Sequence, residues 1–150
     1  MPDKYTNIGS ELHISNSLPT AEDIAGYEAL TFTEVKGVAS IPELGAASSI
    51  VTQADLKDGI VRKAHGERDF GGGDVQFREI NSDAGQLLLR TVQDSEATFS
   101  VKVIRSTGLI EYFKAIAGSY RRNEATTGNF AGIVSAIQVT SAIVEDDSNV

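Results

Sequence analysis

Ser82–Asp94 reads SDAGQLLLRTVQD, the one stretch with a clear helical period, set between long strand-like runs. Ala84, Leu87, Leu88 and Val92 recur at helical spacing, which predicts an apolar stripe along one face. Asp83 followed three residues later by Gln86 is a capping-box pattern, in which each side chain bonds the other residue's backbone N–H. Gly85 lowers the helix's own stability by about 1 kcal/mol relative to alanine, so the helix needs a neighbour to support it. A strand run, Gly73–Ile80, leads in, and two more, Ala97–Ser106 and Leu109–Ser119, lead out. A lone amphipathic helix among strands lays its stripe on a sheet. The expected fold is therefore mainly β: a β sandwich or open barrel with one flanking α-helix over residues 82–94.

Downstream, Phe99, Val101 and Val103 alternate with Ser100 and Lys102, and Thr107-Gly108 predicts a hairpin turn. Leu109–Ser119 is apolar on both faces for part of its length, as in a strand covered on two sides. Tyr120–Asn129 reads as a polar loop holding Arg121 and Arg122. Ile133, Ile137, Val139 and Ile143 share one face of a long final strand, and an acidic tail, about residues 145–150, follows. Upstream, Val75 and Phe77 alternate with Gln76 and Arg78. Gly66–Gly73 (GERDFGGG) reads as a turn, its three consecutive glycines permitting positive φ. Ile60–His65 is a strand preceded by the turn dipeptide Asp58-Gly59.

Ser40–Gly59 (SIPELGAASSIVTQADLKDG) has neither period and is too long for an ordinary connection, which marks a functional or mobile loop. Its apolar residues Ile41, Leu44, Ile50, Val51 and Leu56 need a partner, either on another subunit or on the domain's own sheet. Before it, Ala29–Val38 predicts a strand carrying Leu30 and Phe32 on one side. Ser15–Gly26 is polar and contains a proline: a solvated arm, or one that docks on a neighbouring copy. Gly9–Ile14 is a short strand, with a flexible N-terminal arm over about residues 1–8. There is no internal repeat.

Length and composition bound the rest. A chain of 150 residues is one domain and buries roughly 70% of its unfolded surface. Apolar residues at 41% against charged residues at 23% indicate a globular chain. The absence of cysteine excludes disulfides, a thiolate zinc site and a thiol nucleophile. The N-terminus lacks a signal-peptide core and no window approaches 18 apolar residues, so a soluble protein made in the cytoplasm is expected, with no membrane partner. With 21 acids against 13 bases the net charge is −8, which disfavours a cationic groove for nucleic acid.

Catalytic chemistry is not legible. His13 and His65 are the only histidines, and each reads as an ordinary polar position. His65-x-Glu67 resembles a zinc-deaminase fragment, but the required cysteine pair is absent. Phosphate loops lead into a helix, whereas Gly71–Gly73 lead into a strand. Asp69 and Asp74 lack EF-hand spacing, and no G-x-S-x-G elbow occurs. Arg121-Arg122 suits an acidic partner or an intersubunit salt bridge. No catalytic residue, cofactor or metal is assigned, and an enzyme is not expected.

The order of segments resembles the major tail tube protein of long-tailed (siphophage-type) bacteriophages and related phage-like particles. The residues that carry it are the GSELHIS strand, the TFTEVKGVASIPELG lead into the long loop, and the glycine-rich approach to DVQFREI. The helix DAGQLLLRTV, the hairpin FSVKVIRSTGLIEYFKAIAGSY and the final FAGIVSAIQVTSAI strand complete it, over nearly all of the chain. Some relatives carry an extra immunoglobulin-like domain that this sequence does not show. The resemblance implies a structural virion protein whose hexameric rings stack head-to-tail into a hollow tail tube, assembled in the host cytoplasm, through which genomic DNA is ejected without specific binding. It implies further partners: tape-measure, tail terminator and tail-tip proteins. It also implies that the loop 40–59 orders on stacking.

Chain length is consistent with this, because one chain of about eight strands closes only a barrel filled by its own side chains. Enclosing a duplex takes several copies, and a head-to-tail contact that does not close gives a filament. Some of Glu34, Asp55, Asp58, Glu67 and Asp69 are expected to line the bore and repel phosphates over a Debye length of about 8 Å, or else to be outer-surface acids. Two other readings remain: a contractile-injection or type VI secretion-like tube protein, and a small β-barrel binding module.

Overall fold

The two ends of the sheet are consecutive in the chain, and that decides its shape. The computed structural model describes residues 6–148 and Val150. Its strands are β1 (Glu11–Ser15), β2 (Thr33–Val35), β3 (Val38–Ser40), β4 (Leu44–Ala54), β5 (Val61–Arg78), β6 (Phe99–Ile104), β7 (Ile110–Ala117), β8 (Arg121–Arg122), β9 (Gly132–Val139) and β10 (Val144–Asp146). Helices α1 (Ile24–Glu28) and α2 (Ala84–Asp94) complete it. All the strand pairings are antiparallel, in the order β2-β1-β6-β7-β9-β5-β3. The terminal strands β2 and β3 are separated by Lys36-Gly37 alone, so the sheet must curl until its edges meet. The result is an open barrel, its seam closed by a turn at Gly37 (φ +77°) rather than by a ladder.

Alternation fills the inside. Leu12 and Ile14 of β1, Val101 and Val103 of β6, Phe113 and Ala115 of β7, Val75 and Phe77 of β5, and Ile133 and Ile137 of β9 form one buried cluster. Leu89 and Val92 of α2 join it from the flank. Where β7 and β9 diverge, β10 pairs with Val144 opposite Tyr112, and β8 pairs with β9.

The helix is where the sequence places it, and Asp83 caps it by accepting a hydrogen bond from the Gln86 N–H at 3.1 Å. The buried face differs from the expected stripe. Ala84 and Leu87 are exposed, and Leu88 is half-buried. The face that docks is Gly85, Leu89 and Val92, because Gly85 lies against the β2 backbone. A Cβ there would stand 2.0 Å from the Glu34 carbonyl oxygen. Gly85→Ala should therefore destabilise the fold by about 3 kcal/mol through overpacking, despite alanine's better helix propensity. A urea midpoint equal to or above wild type would contradict this contact.

Other expectations change too. Ser40–Gly59 is not a loop: it contains the whole of β4. Gly66–Gly73 is not a turn but part of the 18-residue β5. Glycine is needed there for close approach, since a Cβ on Gly72 (φ +139°) would lie 2.6 Å from the Ile137 carbonyl oxygen on β9. The polar segment 15–26 leads into α1, capped by Asp23, whose carboxylate accepts from the Gly26 N–H at 2.7 Å. Tyr27 of α1 is fully buried and stacks on Tyr112, with centroids 5.3 Å apart. Arg121-Arg122 form β8, where Arg122 pairs with Glu79 at 3.2 Å. The first five residues of the expected N-terminal arm lie outside the described residues.

The expected acidic tail (about 145–150) does not begin free: Glu145 and Asp146 belong to β10, Val144–Asp146. The Ser148 hydroxyl and N–H hold the Asp146 carboxyl below the usual carboxylate range, with help from the Lys102 charge. A carboxyl with a lowered folded pKa stabilises the fold above its unfolded value of about 3.9 and gives this up as pH falls through the folded value. Acidification below about pH 4 should therefore loosen β10 from β7. Amide exchange at residues 144–148 should rise with acid more steeply than in Asp146→Asn.

Candidate functional site

β4 and the first half of β5 make a hairpin that leaves the barrel. Among the described residues, β4 pairs only with β5, from Leu44 opposite Gly71 to Ala54 opposite Val61. β5 joins β9 only from Gly72 onward. Ten of the eleven β4 residues and the first nine of β5 are exposed. At about 3.4 Å per residue the arm reaches roughly 35 Å. A lone two-stranded hairpin is marginal in water, and both of its edges carry unpaired backbone groups.

Apolar residues lie on both faces of the arm. Consecutive Ile50 and Val51 point to opposite sides, opposite His65 and Ala64, and are 56% and 57% exposed. Leu56 at the tip is fully exposed, and Ile60 and Val61 add to the patch. Ile60 and Val61 lie in a run whose sequence has the pattern of an ordinary strand, so nothing there singles them out. Ile41 and Leu44 behave differently: both are partly buried against the protein's own core. Of the five apolar residues expected to seek a partner, the barrel satisfies Ile41 and Leu44, and it leaves Ile50, Val51 and Leu56 unsatisfied.

The tip is tightly organised. Gly59 N–H donates to the Asp55 carbonyl at 2.8 Å, and Ile60 N–H to the Asp58 carboxylate at 2.9 Å. Arg62 bridges Asp55 at 3.1 Å and Asp58 at 2.8 Å. Exposed pairs of this kind contribute about 0–1 kcal/mol each, but they tie up both carboxylates. Glu67 and Asp69 lie further along β5, on either side of Arg68 and beyond a register shift that follows His65, and Asp69 also accepts from the Gly71 N–H at 2.9 Å. Glu34 is elsewhere, on β2 opposite His13. The structure thus brings four of the five candidate acids onto the arm and leaves Glu34 on the barrel. Residues 44–71 hold four acids and four bases, so the net charge of −8 belongs to the rest of the chain.

Among the described residues no helix is long and apolar enough to cross a membrane. No protein-family model matches the sequence, and neither does any curated protein. Solved structures do match. A chain of the six-fold symmetrised anti-feeding prophage (AFP) baseplate aligns with a TM-score of 0.68 at 7% identity, covering 100% of both chains. The SPP1 tail tube protein aligns with a TM-score of 0.59 at 12% identity, covering 91% of this chain and 76% of that one. A crystal structure of an Hcp protein is a looser likeness, with a TM-score of 0.42 at 11% identity over 92% and 96% of the two chains. The first two likenesses show the architecture: this chain has the antiparallel, helix-flanked barrel fold of phage tail tube and baseplate proteins.

Proposed function

We propose that this chain is a tail tube protomer, which closes side by side with further copies into a ring, most simply a hexamer, and stacks head-to-tail into a hollow virion tail tube. The observation that carries it is the hairpin Leu44–Ala54/Val61–Gly71, an arm with apolar residues on both faces and no partner in its own barrel. The fold likeness supports the same reading. Covering the arm needs neighbours on two sides, which rings that also stack supply. The protein's role is structural and non-catalytic, and DNA passes through without being bound. Assembly takes place in the host cytoplasm, with tape-measure, terminator and tail-tip proteins setting length and ends.

Because Arg62 engages both Asp55 and Asp58 and offsets one of their two charges, any low-friction lining on the arm rests mainly on Glu67 and Asp69. A bore lined mainly by Lys and Arg would reject that account. Negative-stain microscopy of concentrated, purified protein tests the assembly: rings or tubes are expected, and a monodisperse monomer would sink the proposal.

One observation favours a second reading. The AFP baseplate chain matches end to end on both sides, whereas the SPP1 chain extends beyond the match. On that reading the protein is a ring at the base of a contractile-type injection particle. Single rings that never lengthen would favour it over the tube.

A further inference from the structure

Three side chains distant in sequence converge on the outer face of the barrel. His13 is the direct ladder partner of Glu34, and Glu11 lies two residues before His13 on the same strand face. One donor atom from each stands within 4.8 Å of the other two. Among the described residues, the Nε2 atom of His13 is shut off from solvent and finds no hydrogen-bond partner. The Glu11 carboxylate oxygen is 3.8 Å from it, beyond hydrogen-bond reach. A buried ring nitrogen left unpaired beside two carboxylates is an unfavourable arrangement unless something occupies the space between them.

We propose that Glu11, His13 and Glu34 form a site for one divalent transition-metal ion of the zinc type. One imidazole and two carboxylates are the ligand chemistry of such an ion: the imidazole argues against magnesium or calcium, and the lack of thiolates against copper(I). Zinc–ligand bonds of about 2.0–2.2 Å place donors roughly 3.3 Å apart, so the three donor atoms need to close by no more than about 1.5 Å on binding. Three protein ligands leave a fourth position for water. An ion reaches the site from the Glu11 side, where that side chain is 44% exposed; the depression of about 470 Å³ that His13 lines with Lys102, Tyr112 and Asp146 does not include Glu11 or Glu34. The cation on this face, Lys102, has its ammonium 5.9 Å from the ring centroids of both Phe32 and Tyr112, which hold it.

The site has a structural use. β2 is a three-residue edge strand held to β1, and it runs straight into the Lys36-Gly37 turn that closes the barrel. An ion shared by β1 and β2 staples that edge. This role does not depend on the tube reading.

The test uses untagged, chelator-stripped full-length protein titrated with zinc in a calorimeter. One ion per chain is expected, with His13→Ala and Glu34→Gln each weakening binding at least about tenfold and His65→Ala leaving it unchanged. Zinc should also slow amide exchange in residues 33–35. Glu34 is only half-buried, so Glu34→Gln should stay folded and decide the matter even if His13→Ala does not. Failure to bind at about 100 µM zinc, wild-type affinity in Glu34→Gln, or loss of binding in His65→Ala would each overturn the proposal.

Discussion

Replacing Ile50 and Val51 together with aspartate is expected to abolish ring and tube formation while leaving the barrel intact. Each side chain is more than half exposed in the single chain, so the monomer loses almost nothing, and its unfolding free energy, measured in urea, should change by less than about 0.5 kcal/mol. In an assembly each would go from water into an interface, worth about 1.5–3 kcal/mol per residue, and the substitution adds two charges to be desolvated. At 1.4 kcal/mol per factor of ten, the concentration needed for assembly should rise by more than about 100-fold. Sedimentation velocity reads this directly. Because the two residues point to opposite faces, the single variants should each weaken assembly. If one does and the other does not, only one face of the arm is an interface.

The largest effect on the fold itself is expected at Gln86, which is 2% exposed and ties three backbone groups together. Its Oε1 accepts from the Ile80 N–H at 2.9 Å, and its Nε2 donates to the carbonyls of Lys36 at 2.7 Å and Arg78 at 2.8 Å. Asp83 adds a bond from the Lys36 N–H at 3.1 Å. Together they lock the helix start to the turn that closes the barrel and to the end of β5. Gln86→Ala strands one donor and two acceptors at a part-buried seam, and should cost about 3–5 kcal/mol by urea unfolding. Gln86→Glu keeps the size but replaces the donating amide by a carboxylate facing two carbonyls, and should be nearly as damaging. A loss under about 1 kcal/mol in both would mean that the seam is held by packing alone.

Gln86 shows how far the sequence could be read. The capping box was half visible: Asp83 caps as its spacing says, but Gln86 turns away to bonds that span up to 50 residues. No local pattern encodes such partners. The fold class was legible because β6 and β9 alternate against a buried interior and β7 is apolar on both faces, with Phe113 in the core and Tyr112 against Tyr27 of α1. The helix was legible for its period, but its docking face was not. By helix propensity Gly85 is a weakness, yet its lack of a side chain is what lets α2 touch β2.

β4 was missed for the opposite reason. Both of its faces are exposed, so nothing selects alternation, and its small residues resemble a loop. The same solvated state makes the arm a candidate interface. Ile41 and Leu44 could not be told from Ile50 and Val51 by type; only the point where the chain leaves the barrel separates them. The grouping of Glu11, His13 and Glu34 was equally hidden, since a ladder rung rather than sequence spacing brings them together.

Cryo-electron microscopy of the concentrated protein, viewed end-on, bears most directly on what this chain is for. A closed ring around an open channel is expected, with residues 44–71 of each copy lodged between neighbours and Ile50 and Val51 both covered. Single particles, or rings whose arms still stand free in solvent, would contradict it.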